Sequence, residues 1–293
     1  MNHFRAADFL ATPETKLANL ATRLEVSARE EEKEQTLHEI RHKLSKIQEK
    51  MYAHNRYSVL ICLQGMDTSG KDSLVREVFK EMNPRGIVVH SFKSPNAAEL
   101  EHDYLWRHYL ALPEKGKVSI FNRTHYENVL VTRVHPEYLL KENLPQIKSV
   151  ANIDADFWKR RYQQINNFES HIAENGTIVI KFFFYLSKEE QRQRLLRRLE
   201  EQKHNWKFSV GDLQERELWD KYMEYYEEAI AATTTETAPW YIVPADDKEV
   251  ARVVTGSILL ELLQKYDDIS EPELDDEVKK NLRQYREQLE NEA

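Results

Sequence analysis

Residues 57–64, Tyr57-Ser-Val-Leu-Ile-Cys-Leu-Gln64, make an almost unbroken apolar run, and the chain passes straight from it into Gly65-Met-Asp-Thr-Ser-Gly70-Lys71-Asp72 and then a helical pattern. Such continuity suits a strand covered on both faces, and those strands belong to parallel sheets flanked by helices. The loop that follows satisfies G-x-x-x-x-G-K, with Asp72 where Ser or Thr usually completes the pattern. Gly65 and Gly70 let backbone N–H groups turn inward, the helix opening at Asp72 adds partial positive charge, and Lys71 can bridge phosphate oxygens. Strand, loop and helix together indicate an α/β fold with an anion at the strand's carboxyl end.

Apolar runs at 87–90, 118–121, 178–185 and 240–243 predict four further strands, and helical patterns at 72–82, 97–112, 126–139, 154–174, 188–202, 211–232 and 247–266 alternate with them. Alternation at this spacing implies right-handed βαβ units and a five-stranded, mostly parallel sheet flanked by helices. Residues 13–53 read as a helical arm with Leu37, Ile40, Leu44 and Ile47 on one face. The expected organisation is an N-terminal arm over 1–54, a core over 55–266 and a charged helical tail over 267–293. With 42 Lys and Arg against 50 Asp and Glu, the net charge of −8 offers no general field for nucleic acid or an anionic membrane, so any polyanion must be gripped locally. The single cysteine, Cys62, points to a reducing compartment, and without a signal-like or spanning apolar segment the expected location is cytoplasmic.

In a parallel sheet the carboxyl ends of neighbouring strands share one crevice, which gathers the candidate site. Asp67 and Asp72 supply hard, charged oxygens suited to Mg²⁺, with Mn²⁺ as a substitute; Asp67 leads, and Asp72 is a second ligand or a helix cap. Gly65, Ser69 and Gly70 complete the phosphate loop. The third strand ends in Phe121-Asn122-Arg123-Thr124-His125-Tyr126-Glu127-Asn128, where Arg123 can fork phosphate oxygens and Asn122 can ligate or position metal-bound water without charge. Glu127 needs a donor, which an amino group on a base would supply, while His125 and Tyr126 read as packing. Lys93 is expected in the same pocket. Residues 188–207 carry seven Lys or Arg and four Glu, with Gln191, Arg194 and Arg198 on one helix face and Leu195, Leu196 and Leu199 largely on another. This segment reads as a lid that neutralises charge during phosphoryl transfer. Phe182, Phe183 and Phe184 read as core, and Lys159, Arg160 and Arg161 as a solvated helix turn.

These motifs, with Phe92-Lys93-Ser-Pro95, Asp103-Tyr-Leu-Trp-Arg107, Gln191-Arg-Gln-Arg194, Trp206-Lys-Phe-Ser209 and Ala238-Pro-Trp-Tyr-Ile-Val-Pro-Ala245, resemble the family-2 polyphosphate kinases, in order over roughly 37–263. The resemblance implies a P-loop kinase fold related to thymidylate kinases, Mg²⁺ dependence, homodimers or homotetramers, and transfer of a terminal phosphate between inorganic polyphosphate and nucleotides. Matched position by position, Asp67 would bind magnesium, Lys71 and Arg123 phosphate, and Arg194 and Arg198 would belong to the lid. The form Asn122-Arg-Thr-His-Tyr-Glu127 is similar to the third subclass, which accepts both AMP and ADP and yields ADP and ATP. Thr124 stands where Ser is expected, and Thr68-Ser69 where Ala or Gly is expected. Two rival readings share the bare motifs: an ATP-dependent nucleoside or nucleotide kinase of the thymidylate-kinase type, and a non-catalytic nucleotide sensor.

Overall fold

The computed structural model describes residues 4–292; the ends of the arm and tail at 1–3 and 293, and the side chains of His204 and Lys207 in the lid segment, lie outside the described residues. Strands β1 (Ser58–Gln64), β2 (Ile87–Ser91), β3 (Val118–Asn122), β4 (Thr177–Tyr185) and β5 (Trp240–Pro244) form one sheet in the order β2-β3-β1-β4-β5, every pairing parallel. Alternate residues of β1 feed opposite faces. Val59, Ile61 and Leu63 join one core cluster, and Leu60 and Cys62 another. Leu63 lies opposite Asn122 on one side and Phe182 on the other, so the segments after β1 and β3 leave the sheet side by side.

The helices are α1 (Glu30–His54), α2 (Lys71–Val78), α3 (Ala97–Leu100), α4 (Trp106–Tyr109), α5 (Val131–Val134), α6 (Ala155–Glu174), α7 (Lys188–Glu200), α8 (Val210–Glu217), α9 (Trp219–Thr233), α10 (Lys248–Leu263) and α11 (Asp276–Glu290). α1, α2 and α10 cover one face of the sheet, where Leu37, Ile40 and Leu44 of the arm enter the main core. At the α1–α10 crossing a Cβ on Gly256 would come within 2.8 Å of Ile40 Cγ2, so only glycine permits this approach. α6 and α9 pack on the other face, around Ile165, Phe168 and Ile230. Phe182, Phe183 and Phe184 are buried in β4. No helix among the described residues is long and apolar enough to cross a membrane.

Four predicted helices begin late or are broken, and the 72–82 helix ends early, at Val78. The arm's helix begins at Glu30 rather than in the teens; upstream, Ala11 N–H donates to Trp240 O (2.9 Å) and Phe9 O accepts from Ile242 N–H (2.8 Å), so this segment covers the free edge of β5. The 97–112 pattern splits into α3 and α4 because Asp103 Oδ1 takes the Leu105 N–H (2.9 Å), a local turn that competes with the helix. The 126–139 pattern becomes 3₁₀ turns around α5, with Pro136 opening the second, since proline lacks the N–H a continuing helix needs. The 211–232 pattern divides at Leu218. Arg161, read as solvated, is buried, paired with Glu142 and stacked 3.9 Å over Tyr104.

Candidate phosphoryl-transfer site

The β1–α2 loop has the strained backbone that close approach to an anion requires. Gly65 takes φ +151°, and a Cβ there would stand 2.9 Å from both Phe184 O and Ser69 Oγ. Gly70, at φ +101°, immediately precedes α2. Thr68 also adopts a left-handed φ of 68°, unfavourable for a β-branched residue, and its Oγ1 is buried without a hydrogen-bond partner. Thr68→Gly is therefore expected to raise stability by about 0.5–2 kcal/mol, relief of strain and of the stranded hydroxyl outweighing the added freedom of the unfolded chain. Urea denaturation of both proteins checks this; a lower midpoint for the variant contradicts it.

Lys71 Nζ donates to Gly65 O (2.6 Å), Met66 O (3.2 Å) and Ser69 Oγ (3.2 Å), which holds it across the mouth of the loop. Burial lowers its pKa to about 8, against the opposing pull of Asp67. Asp67 Oδ1 accepts from Arg123 (2.7 Å), whose guanidinium also faces Glu127 at 3.7 Å. Asp72 makes no cap: its Oδ1 accepts from Asn122 Nδ2 (2.6 Å), leaving the buried Asn122 Oδ1 without a partner. The structure thus brings Asp67, Lys71, Asp72, Asn122 and Arg123 around one cavity of about 250 Å³, with Ser69 and Gly70 in its floor.

Lys93 is not in that cavity. β2 lies beyond β3 from β1, so the chain after β2 opens onto a second cavity of about 560 Å³ that Lys93 lines with Phe92, Arg107, Glu127 and Tyr138. Arg123 borders both chambers.

The lid residues divide by role. Arg194, expected to meet substrate, is buried and committed to protein: it pairs with Glu190 (2.8 Å) and donates to the carbonyls of Thr68 (2.9 Å), Ala245 (2.7 Å) and Asp246 (3.0 Å). Gln191 Nε2 donates to Asp67 O (3.1 Å), so α7 ties down the strained loop while Arg194 still edges the cavity. Arg198 pairs with Asp212 of α8 at 2.9 Å; burial and nearby Asp67 raise the Asp212 pKa. Leu195 is buried, but Leu196 and Leu199 are exposed, so the apolar face of α7 is narrower than its spacing suggests.

Three features escaped sequence reasoning. Arg197 and Lys248 line the loop cavity from the lid side. Below the Asn122–Asn128 turn lies a buried network: Lys181 Nζ donates to Glu169 (2.6 Å), Tyr126 Oη (2.8 Å) and Thr233 O (2.7 Å), while Tyr126 Oη (2.8 Å) and His125 Nε2 (3.0 Å) meet the other Glu169 oxygen. The lysine inside the apolar 178–185 run was its sequence signal.

A parallel sheet in this order, a glycine-bounded phosphate loop closed by a cationic helix and a second chamber sharing one arginine define a P-loop kinase. The model of the family "Polyphosphate kinase 2" matches residues 27–271, and the chain belongs to that family. It is 47% identical over 247 residues to an ADP-polyphosphate phosphotransferase of Rhodopseudomonas palustris, covering 84% of each chain. It is 46% identical over 222 residues to an AMP/ADP-polyphosphate phosphotransferase of Meiothermus ruber, covering 76% of this chain and 78% of the relative. Its fold matches the crystal structure of a polyphosphate kinase 2 from Arthrobacter aurescens with a TM-score of 0.84 at 34% identity, over 97% of this chain and 100% of the other.

Proposed function

We propose that this chain transfers the terminal phosphoryl group of inorganic polyphosphate to AMP and ADP, reversibly, giving ADP and ATP. The observation that carries the reading is the pair of chambers joined at Arg123, one built on the phosphate loop and its cations, the other bordered by Glu127 and Lys93. The names of the two relatives supply the donor, polyphosphate, and the acceptors, ADP and AMP. An oxygen of the nucleotide's phosphate attacks the terminal phosphorus in line, the new P–O bond forms as the bridging P–O bond breaks, and the shortened polymer leaves. No covalent enzyme intermediate is required. Lys71 exchanges its loop carbonyls for phosphate oxygens, and Arg123, already flanked by two carboxylates, reaches phosphates from either chamber. Arg194 works indirectly, holding the loop's carbonyls so that its N–H groups stay aimed at the anion.

The donor set fits magnesium. Asp67 and Asp72 offer carboxylates, and the stranded Asn122 Oδ1 a neutral oxygen. Among the described residues no cluster of three or more His, Cys, Asp or Glu could form a dedicated cage. That suits an ion held by one or two carboxylates together with substrate phosphates. When bound there it would neutralise charge developing on the transferred group. A chelator is expected to abolish transfer, and Mg²⁺ or Mn²⁺ to restore it; full activity in excess chelator contradicts this.

Glu127 lines the acceptor chamber, and among the described residues its carboxylate pairs with Arg123 alone, at 3.7 Å. An exocyclic amine on adenine gives it a hydrogen-bond donor, and AMP, with one phosphate fewer to anchor it, depends on that contact more than ADP does. Glu127→Gln is expected to lower kcat/KM for AMP by about 1–3 kcal/mol in transition-state terms and that for ADP by less. Parallel titrations at saturating polymer check this, and equal losses remove Glu127 from discrimination. The assignment as a whole is tested by exchanging the donor: AMP is converted to ADP and ATP with polyphosphate present, and a protein that works only with ATP as donor is a conventional nucleotide kinase.

A further inference from the structure

We infer that Gln64, the last residue of β1, is a positioning residue for phosphoryl transfer, acting through Thr124 to hold Arg123 at the junction of the two chambers. This rests on the reading above and adds the element that aims its shared arginine. Successive side chains of a strand point to opposite faces, yet Asn122 and Arg123, consecutive at the end of β3, both line the loop cavity. The alternation is broken at Arg123, whose backbone takes a left-handed φ of 58°. That conformation is unfavourable for a residue with a long side chain and persists only where the surroundings impose it.

Thr124 and Gln64 impose it. Thr124 is buried, and its Oγ1 accepts from Tyr126 N–H (3.1 Å), capping the 3₁₀ turn His125–Asn128 that follows. Glu127 N–H donates to Thr124 O (3.0 Å) and Asn128 Nδ2 to His125 O (3.0 Å), so the same turn sets Glu127, one of the two carboxylates beside Arg123. His125 and Tyr126 anchor the turn on Glu169 below it. On the side of the phosphate loop, next to the Asp67–Arg123 pair itself, the link is Gln64 Nε2, which donates to Thr124 Oγ1 at 3.0 Å. Gln64 is paired with Phe183 in the sheet and immediately precedes Gly65, whose carbonyl receives Lys71 Nζ. Its side chain thus joins the rigid root of the loop to the residue that follows Arg123. Packing alone does not call for an amide here. Gln64 is buried, and its Oε1 has no hydrogen-bond partner among the described residues. A methionine of similar length fills the same space without a half-matched polar group, so the amide is accounted for by what it holds.

Gln64→Met removes the donor and leaves Thr124 Oγ1 its bond to Tyr126 N–H, so the variant is expected to fold with a urea midpoint at or above that of wild type. Its single-turnover rate at saturating polyphosphate and AMP is expected to fall about tenfold, with KM for both substrates within about threefold, because a misaimed group costs rate more than binding. Thr124→Val keeps the shape but removes the hydroxyl, and should fall at least as far per folded molecule. Thr124→Ser restores the hydroxyl on a less restricted side chain and should lie within about threefold of wild type. In an Arg123→Met background, Gln64→Met should change the rate by less than about twofold, since the group that it aims is gone. A Gln64 that serves only the fold gives the same factor with or without Arg123. That result, or a Gln64→Met rate within about twofold of wild type, overturns the positioning role and leaves the proposed function standing. Wild type that transfers only from ATP defeats the proposed donor, and the same cycle run with ATP then decides the positioning role by itself. Wild type that transfers from neither donor overturns both.

Discussion

Lys71→Ala is expected to lower kcat for phosphoryl transfer by about 10²–10³ while unfolding at a denaturant concentration close to that of wild type. Its ammonium donates to loop groups, the carbonyls of Gly65 and Met66 and the hydroxyl of Ser69, and these can turn to water in its absence. No core residue loses packing. What is lost is the one cation placed within the loop where charge develops during transfer, held ready before substrate arrives. Asp67→Asn should cost a similar factor for a different reason. It keeps volume and shape but removes the carboxylate that orients Arg123 at 2.7 Å and that leads the proposed metal set. Single-turnover rates with saturating polymer and nucleotide measure both effects. Near-full activity in either folded variant shows that the loop is not the transfer site.

The largest loss of stability is expected from the pair beneath the site. Glu169 on α6 and Lys181 on β4 are fully buried, 2.6 Å apart, and both Glu169 oxygens and the Lys181 ammonium have hydrogen-bond partners. Lys181→Met leaves a buried carboxylate without its cation, at a cost of about 3–5 kcal/mol. Glu169→Gln combined with Lys181→Met removes both charges and leaves an amide oxygen for His125 or Tyr126, so the double variant should recover at least half of that loss. Because His125 and Tyr126 lie between Arg123 and Glu127 in the chain, the single variant should also lose transfer beyond its folded fraction, and the double variant should regain it. Urea midpoints with activity measured under folded conditions separate the two effects. A single variant within about 1 kcal/mol of wild type contradicts the assignment.

The parts of this molecule that announce themselves in sequence are those set by local pattern. Strands β1 and β4 are uninterrupted apolar runs because both faces are covered, and the loop after β1 is marked by glycines whose positive φ no other residue adopts cheaply. Asp154 and Asp247 cap α6 and α10 where the helical patterns at 154 and 247 begin. Where the reading failed, a tertiary demand had overruled the local one. Residues 97–112 read as one helix, yet Asp103 turns the chain, and Tyr104 closes over Arg161. Lys93 was misplaced because strand order, unlike strand position, is not written in the chain. Arg194 and Arg197 look alike three residues apart on one basic helix; both line the cavity, but Arg194 is spent on backbone carbonyls, a distinction that only the fold makes. Lys248 was invisible for the same reason, since what distinguishes it is its place at the loop cavity.

Incubation of the purified protein with Mg²⁺, AMP and polyphosphate labelled isotopically in its phosphate groups tests the account most directly. The label should appear first in the β-phosphate of ADP and then in the γ-phosphate of ATP, with the polymer shortening from its end and no phosphate released to water in proportion. Unlabelled ADP formed only when ATP is supplied as donor, with the polymer intact, would contradict it.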